Sequence, residues 1–310
     1  MPTAPFHTPV LLPETLSFLA PGPGGTYVDA TLGGGGHAEA ILGRIDRTGR
    51  CIGIDADIDA LTASAERLKQ FGNRFVPVRE NFGNLKRVLS QLGIRTISGI
   101  VFDLGVSSHQ LDDPSRGFSF RGDEVLDMRM DRHQTLGALA VVNSYEEAAL
   151  AGIIRSFGEE RFARRIAGRI VSRRAEKPIE TTGALAKIVD EAVGHGHAVK
   201  SRARVFQAIR IEVNKELDRL REGLSDAETA LEPGGRMVVI SYHSLEDRIV
   251  KSFLRDASKS VERSGVKLVP DRPLAPTLRI LTRKPVEASK AEREKNPRSR
   301  SAKLRAAEKL

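Results

Sequence analysis

The sequence predicts an α/β fold in which a doubly wound, mostly parallel sheet is interrupted by an inserted all-helical subdomain. From residue 25 to 103, short β-rich runs alternate with amphipathic stretches of helical period, the pattern of successive βαβ units. From about residue 111 to 213 the pattern is helical only, and then the α/β alternation returns. The predicted domains are therefore a discontinuous core, residues 1–110 and 214–310, and a helical insertion, residues 111–213.

The strands and helices follow from local pattern and turn residues. The predicted strands are 26–29, 51–55, 75–79, 99–103, 236–241 and a late antiparallel edge strand at 277–282. The predicted core helices are 37–45, 58–70, 82–92, 214–231 and one from Ser244, and those of the insertion are 134–141, 145–156, 160–174, 183–193 and 201–212. Asp57 is the predicted N-cap of the second helix. Because the carboxyl ends of parallel strands form the ligand crevice, we expect Asp29, Asp55 and Asp103 to line one edge.

Composition excludes several classes of protein. The chain has 310 residues, 40% of them hydrophobic, and no apolar run approaches the ~18–20 residues that span a bilayer. The single cysteine, Cys51, excludes an intramolecular disulfide and a Cys-based zinc cluster. The N-terminus lacks the features of a secretory signal, so we expect a cytoplasmic location. Histidines occur without two-His helical spacing, so we expect no metal site. The scattered histidines are His7, His109, His195, His197 and His243.

The formal charge of +9 favours a polyanionic partner where the excess is clustered. Residues 284–310 carry nine basic and four acidic side chains, with almost no aromatic or β-branched residues. This composition predicts a basic C-terminal tail that is weakly folded on its own. Such a tail either binds phosphates or only keeps the protein soluble.

A row of arginines at four-residue spacing marks one face of the predicted helix 160–174. The row comprises Arg161, Arg165, Arg169 and Arg173. It is either a solvated face paired with acids or, with the basic stretch 200–204 and the tail, a phosphate-binding surface. The chain has three tyrosines and no tryptophan, so we expect recognition of nucleic acid by shape and backbone rather than by stacked bases.

Four consecutive glycines, residues 33–36, follow the first strand and lead into a helix. Such a loop lets the backbone approach a nucleotide-containing ligand, although close helix–sheet packing alone also explains it. The spacing Gly33-x-Gly35-x-x-Ala38, with Asp55 about twenty residues on, satisfies a loose NAD fingerprint. The acids at 29 and 103 would repel a pyrophosphate and suit a cation. S-adenosylmethionine has an ammonium group, a sulfonium and a ribose diol, and no phosphate, so the acids favour it over NAD.

Eight sequence blocks together resemble one family over nearly the whole chain. They are HTPVLL (7–12), DATLGGGGH (29–37), GIDAD (53–57), DLGVSSHQLD (103–112), RGFSF (116–120), LDMRMD (126–131), ISYHSLEDR (240–248) and NPRSRSAKLR (296–305). The sequence resembles the bacterial small-subunit ribosomal RNA methyltransferase H family, also called MraW. The resemblance implies a class I, Rossmann-like S-adenosylmethionine-dependent fold and methylation of the exocyclic N4 of a cytidine in the decoding region of 16S rRNA.

The resemblance also implies the partners and the cofactor residues. The partner would be 16S rRNA within the small ribosomal subunit or a late precursor of it. No membrane or metal partner is implied, and the protein would be either a monomer or a homodimer. Gly35, Gly36 and His37 would contact the methionine part and Asp55 the ribose hydroxyls, and the remaining cofactor residues would be Phe82, Asp103 and Gln110. The Phe82 ring would cover the adenine, or it is an ordinary core residue. His37 alternatively has a capping or packing role.

Asp103 is the candidate catalytic residue. The amino nitrogen of cytosine shares its lone pair with the ring and attacks a methyl group poorly until an acceptor draws its hydrogens out of the ring plane. The segment after the fourth strand is where many amino-methyltransferases place such an acceptor. Alternatively, Asp103 binds only the cofactor, and alignment of nitrogen, carbon and sulfur supplies the rate. Two rival functions are an NAD-dependent oxidoreductase and a non-catalytic RNA-binding assembly factor.

Overall fold

The computed structural model describes residues 9–194, 196–262 and 271–310. His7, with the start of the HTPVLL block, and His195 lie outside the described residues. The chain divides into two compact units, Met1–Gly105 with Leu217–Leu310, and Val106–Glu216. We call the first the core unit and the second the helical unit. The sequence predicted the boundaries between these two parts of the chain after residues 110 and 213.

The core unit is built on one mixed sheet. The strands of the described residues are β1 (Thr26–Asp29), β2 (Arg50–Asp55), β3 (Phe75–Arg79), β4 (Ile97–Asp103), β5 (Leu231–Ser241), β6 (Val261–Glu262), β7 (Arg272–Pro273), β8 (Leu278–Ile280), β9 (Val286–Glu287) and β10 (Lys303–Lys309). The main sheet has the order β3-β2-β1-β4-β5-β10-β8, and β9 also pairs with β10, whereas β6 and β7 pair with each other in a separate two-stranded sheet. Neighbours from β3 to β5 are parallel, whereas β10 is antiparallel to β5, β8 and β9.

The predicted fold class, a mostly parallel sheet flanked by helices, is confirmed. The helices of the described residues are α1 (Leu12–Leu19), α2 (Gly36–Leu42), α3 (Ile58–Leu68), α4 (Leu85–Gln91), α5 (Ser108–Asp112), α6 (Ala138–Ser144), α7 (Glu147–Gly158), α8 (Ala163–Glu176), α9 (Thr182–Val193), α10 (Ala198–Asn214), α11 (Glu216–Ala230), α12 (Ser244–Ala257) and α13 (Lys290–Lys295). Short 3₁₀ helices occupy Lys69–Arg74, Phe82–Asn84, Pro114–Arg116 and Pro297–Ser301. The Asp57 side chain accepts the amide of Asp59, which confirms the predicted N-cap of α3.

The central strands are buried on both faces, as expected for parallel strands covered by helices. Val28, Ile52, Ile54, Ile100 and Phe102 are all fully buried. Each such side chain stabilises the fold by about 1.5–3 kcal/mol relative to an exposed one. The strand order reverses between β1 and β4, so the crevice of this sheet lies at the carboxyl ends of those two strands.

The C-terminal tail, predicted to be weakly folded on its own, is part of the sheet of the core unit. Strand β10 inserts between β5 and β8, and its Leu304, Ala306 and Ala307 are fully buried. The sequence KLRAAEK of β10 contains no β-branched or aromatic residue, so its intrinsic preference gave no sign of a strand. Pairing on both sides overrides that preference. Helix α1 was also not predicted, and β5 begins five residues before the predicted start, at Leu231.

The helical unit packs α6 to α10 around its own apolar core. Leu150, Ile154, Ile166, Ile170 and Ile209 are fully buried there. Helix α8 begins at Ala163 rather than at the predicted residue 160. The buried carboxylate of Glu160 accepts the amide of Phe162 at 2.9 Å and the hydroxyl of Ser201 at 2.9 Å, which fixes the chain before the first helical turn.

Side-chain bonds to the backbone hold the segment between α5 and α6, which has little regular structure. Arg116 is fully buried, and its Nη2 donates to the carbonyls of Arg129 at 3.0 Å and Met130 at 3.1 Å. The amide side chain of Asn214 accepts from the Met130 backbone and donates to the Met128 carbonyl, both at 2.8 Å. The RGFSF and LDMRMD blocks therefore form one ordered part of the helical unit.

Candidate active site

The glycine loop is tied to the sheet by Asp29, the last residue of β1. Asp29 is 1% exposed, and its carboxylate accepts the amides of Thr31 at 3.3 Å and Ala38 at 3.1 Å. These bonds join the start of the loop to the first turn of α2. Burial raises the pKa of Asp29 to about 6, against the opposing effect of the nearby His37.

The glycines of this loop are required by its conformation and by its packing. Gly33 and Gly35 have φ values of +48° and +75°, in the left-handed region. A Cβ on Gly35 would lie 3.1 Å from the Ser64 Cβ, and one on Gly36 would clash with Pro9 Cγ. Packing therefore explains why residues 35 and 36 are glycines, whether or not a ligand approaches them.

Asp55 ends β2 and fastens the same loop from the neighbouring strand. Its carboxylate accepts the amides of Gly33 at 2.8 Å and Asp57 at 2.9 Å. Burial raises the pKa of Asp55 to about 6, and the charges of Asp57 and Asp29 act in the same direction. Each carboxylate oxygen can accept a further hydrogen bond, so Asp55 keeps acceptor capacity for two hydroxyl groups.

Asp103 ends β4, next to β1 in the sheet. Its backbone amide donates to Thr31 Oγ1 at 2.6 Å, and its Oδ1 accepts the hydroxyl of Tyr242 at 2.7 Å. The Oδ2 lies 3.4 Å from Nε2 of His37. The side chain is 18% exposed, so the carboxylate is held firmly and still reaches the surface of its unit.

His37 is the second residue of α2 and is 4% exposed. Burial lowers its pKa, but Asp103, together with the charge of Asp29, outweighs burial and raises it. Its Nδ1 is buried and makes no hydrogen bond within the described residues. An unpartnered buried nitrogen of this kind is a place where a ligand group would find a hydrogen-bond partner.

The structure brings Asp29, Asp55 and Asp103 to one edge of the sheet. In the β1 register, Asp29 pairs with Gly53 and Val101, so the other two acids lie two residues further along their strands. The charge of His37 lowers the pKa of Asp29 and that of Asp103 raises it, whereas the charges that act on the pKa of Asp55, those of Asp57 and Asp29, both raise it. This edge has excess negative charge, which suits a cationic ligand and disfavours a pyrophosphate.

Phe82 and Gln110 lie on elements other than the three strands that carry these acids. Phe82 opens the 3₁₀ helix after β3, is half-buried, and packs edge-to-face on Phe102 with ring centroids 5.7 Å apart. It therefore has a core contact, and its adenine-binding role stays a prediction. Gln110 belongs to the helical unit, where it completes the capping box of α5 with Ser107.

Sequence reasoning gave no role to Tyr242 or Thr31, the two side chains that hold Asp103. Tyr242 lies in the ISYHSLEDR block, which supplied part of the resemblance but no predicted site residue. Thr31 lies in the DATLGGGGH block. The adjacency of β4 and β5 that brings Tyr242 to Asp103 is a property of the sheet order and leaves no local pattern in the sequence.

The arginine row of the helical unit is partly neutralised. Glu191 of α9 pairs with Arg173 at 2.8 Å and with Arg169 at 3.4 Å. Arg161 precedes α8, stacks on Phe162 and contacts the His197 ring. Of the row, Arg165 is exposed and makes no ion pair within the described residues. The paired-face interpretation therefore holds for Arg169 and Arg173.

Comparison with known proteins shows the family of this chain. The family model described as the MraW methylase family matches residues 4–310. The chain belongs to the MraW methylase family. It is 50% identical to the ribosomal RNA small subunit methyltransferase H of Carboxydothermus hydrogenoformans, covering 98% of each chain. The protein of that name from Trichlorobacter lovleyi is also 50% identical, with 98% of each chain covered.

Among solved structures, an rRNA methylase from Streptococcus thermophilus aligns with a TM-score of 0.41 and 12% identity, covering 100% of this chain and 99% of that chain. The MraW methylase family uses S-adenosylmethionine as methyl donor, so the predicted cofactor is confirmed. In the part of the chain that the structure describes, no helix is long and apolar enough to cross a membrane.

Proposed function

We propose that this MraW-family protein transfers a methyl group from S-adenosylmethionine to the exocyclic N4 of a cytidine in the decoding region of 16S rRNA. The observation that carries the ribosomal substrate is the full-length match to relatives named ribosomal RNA small subunit methyltransferase H. The N4 position and the decoding region rest on the resemblance of the motifs. The substrate is the small ribosomal subunit or a late precursor of it, which implies a cytoplasmic enzyme.

The acidic edge fits the proposed cofactor. Asp29 and Asp55, whose pKa values are raised by burial to about 6, are stabilised in their ionised forms by a ligand that carries an ammonium and a sulfonium, and Asp103 lies at the same edge. Asp55 is the ribose ligand, because its carboxylate retains acceptor sites for both hydroxyls. Gly35, Gly36 and His37 bind the methionine part, Phe82 packs on the adenine, and Gln110 from the helical unit joins the set by resemblance alone.

Asp103 is the proposed catalytic residue. When bound, S-adenosylmethionine supplies an electrophilic methyl group on a positively charged sulfur. The Asp103 carboxylate accepts a hydrogen bond from the cytidine amino group and draws its hydrogens out of the ring plane, so the lone pair becomes available for attack. Its backbone and Oδ1 are already held by Thr31 and Tyr242, so the acceptor is preorganised.

The helical unit offers cations for the RNA backbone. Arg165 of α8, Arg164 beside it and Arg155 in the last turn of α7 are exposed and make no ion pair within the described residues. Phosphate contacts from these groups position the RNA without reading its bases. The target cytidine reaches the site from a loop or after flipping out of a stack, which costs a few kcal/mol.

The test is nucleoside mapping of 16S rRNA by mass spectrometry in cells with and without the protein. We expect one N4-methylated cytidine in the decoding region to disappear without the protein and to return with the parent gene. Restoration by the Asp103→Asn variant at the parent level would leave Asp103 without a catalytic role. Unchanged 16S rRNA would favour an assembly factor, and binding of NAD in place of S-adenosylmethionine would favour an oxidoreductase.

A further inference from the structure

Tyr242 lies immediately after β5, beside the end of β4. In the parallel pairing of these strands, Asp103 is opposite Ile240, so the residue two places later stands next to the Asp103 carboxylate. The Tyr242 hydroxyl donates to Asp103 Oδ1 at 2.7 Å. This is a charge-assisted hydrogen bond, the stronger class of such bonds in proteins.

The position of Tyr242 is itself fixed by its surroundings. Its backbone amide donates to Glu246 Oε2 at 2.8 Å, and Glu246 is 2% exposed in the first turn of α12. The ring packs against the apolar cluster on one face of the sheet and lies next to Gly105, whose added Cβ would be 3.6 Å from Cδ2 of the ring. The hydroxyl therefore approaches Asp103 from one defined direction.

Tyr242 acts as a donor and not as a base. Burial raises the pKa of its phenol well above the ordinary value, and the carboxylates of Asp103, Glu246 and Glu292 add to that effect. The raised pKa therefore favours the protonated phenol near neutral pH. Asp103 is therefore the residue that accepts a hydrogen bond from the substrate.

We propose that Tyr242 is a positioning residue for methyl transfer, whose hydroxyl holds the Asp103 carboxylate in the orientation that accepts the cytidine amino group. The inference rests on the proposed function. His37 stands 3.4 Å from Oδ2 and Thr31 holds the Asp103 amide, so Tyr242 completes a three-sided support. Support of this kind keeps an acceptor within the narrow range of geometry that catalysis requires.

The test compares two tyrosine substitutions, each of which removes a hydroxyl that donates a hydrogen bond to a carboxylate. Tyr242→Phe removes the bond to Asp103 and keeps the ring. Tyr145→Phe is the matched control, because the Tyr145 hydroxyl donates to Glu212 at 2.8 Å within the helical unit, whereas Asp103 belongs to the core unit. The substrate is small ribosomal subunits from cells that lack the protein, and the readouts are the single-turnover rate, cofactor affinity by calorimetry and the melting temperature.

We expect Tyr242→Phe to lower the single-turnover rate at saturating cofactor and subunits by about 10- to 100-fold, with cofactor affinity within about threefold of the parent. Tyr145→Phe keeps the parent rate. A Tyr242→Phe rate within about twofold of the parent, or a loss that saturating cofactor restores, overturns the proposal. A parent enzyme that methylates no 16S rRNA would instead overturn the proposed function, before any variant is compared.

A second measurement covers the case in which Tyr242→Phe does not fold. The chain has three tyrosines, so tyrosine labelled with ¹³C at Cζ gives three assignable resonances. Asp103→Asn is expected to shift the Tyr242 resonance and to leave those of Tyr27 and Tyr145 in place. A Tyr242 resonance that does not respond to Asp103→Asn contradicts the contact on which the proposal depends.

Discussion

The three acids at the crevice edge differ in what their carboxylates do. Asp29 is almost fully buried, and its carboxylate holds two backbone amides of the glycine loop. Asp55 holds two amides as well but is only half-buried, so it can also face a ligand. Asp103 is held by side chains and reaches the surface of its unit. Asp29 therefore shapes the loop, whereas Asp55 and Asp103 are available to ligands.

The raised pKa of Asp55 links cofactor binding to pH. Its folded-state pKa of about 6 exceeds the unfolded value of 3.8, so the folded protein binds the extra proton and loses stability as pH rises through that window. A cationic ligand favours the ionised carboxylate. We expect the ionisation of Asp55 to raise the affinity for S-adenosylmethionine by up to about tenfold from pH 5 to pH 7.

The variant Asp55→Asn tests this linkage by calorimetry across the same pH range. We expect a weaker affinity at pH 7 and a smaller slope with pH, the remaining slope coming from Asp29, whose pKa is also about 6. Asp256→Asn is the control, because Lys259 and Arg255 lower the pKa of that exposed carboxyl and keep it ionised. An Asp55→Asn variant with the parent's affinity and slope would show that another acid binds the ribose.

Asp103→Asn separates catalysis from cofactor binding. We expect a lower single-turnover rate even at saturating cofactor, because an amide is a weaker acceptor than a carboxylate for the cytidine amino group. The measurement is the rate of methyl transfer to small subunits over a series of cofactor concentrations. Full recovery of the rate at high cofactor would make Asp103 a cofactor ligand only.

At the scale of elements, β10 makes the C-terminus part of the fold. Leu304 is fully buried opposite Ile240 of β5, so Leu304→Ala removes core volume and is expected to destabilise the protein by about 2–5 kcal/mol in urea unfolding. Leu310→Ala, at a side chain that is 52% exposed, is the control and should change stability by less than about 0.5 kcal/mol. Equal urea midpoints for Leu304→Ala and the parent protein would mean that β10 unfolds separately from the rest of the sheet.

The arginines of α8 differ in their partners, and their effects on RNA binding should differ accordingly. Arg165→Ala is expected to flatten the slope of log affinity against log salt by about 0.7–0.9, the contribution of one phosphate contact. Arg169→Ala should change the slope less, because Arg169 already pairs with Glu191 at 3.4 Å. Binding of 16S-derived RNA over a salt series measures both. If both variants keep the salt slope of the parent protein, the RNA backbone does not contact α8.

The sequence predicted the elements that can be identified from their local residue pattern. Strands β1 to β4 are short apolar runs between turn residues, and three of them end in the acids that form the crevice, so pattern alone located the sheet edge. Strand β10 and the Tyr242 contact could not be predicted, because both depend on which strands become neighbours. The beginning of α8 was misplaced by three residues because Glu160 is fixed by Ser201, a residue far along the chain. Tertiary contacts override local preference at each of these points.

At the scale of the whole molecule, the net charge and the charge of the site have opposite signs. The chain carries a formal +9, which attracts a polyanion, whereas the crevice edge gathers Asp29, Asp55 and Asp103 with His37. The net charge acts on RNA over about a Debye length, and the acids act on whatever enters the crevice. A protein with this distribution binds one anionic macromolecule and one cationic small molecule.

Ligand and salt together test that distribution. We expect calorimetry to show binding of S-adenosylmethionine that changes little between about 50 and 200 mM salt, because the carboxylates that hold it are buried or half-buried and therefore weakly screened. NAD should not bind despite the net positive charge, since its pyrophosphate would face the carboxylates at the ends of β1 and β4. RNA affinity should fall steeply over the same range, by a power of the salt concentration set by the number of phosphates contacted. Micromolar binding of NAD would contradict the charge argument at the crevice. RNA affinity that does not depend on salt would contradict the claim that the basic surface binds phosphates. The two outcomes are independent, because one concerns the acidic crevice and the other the basic surface.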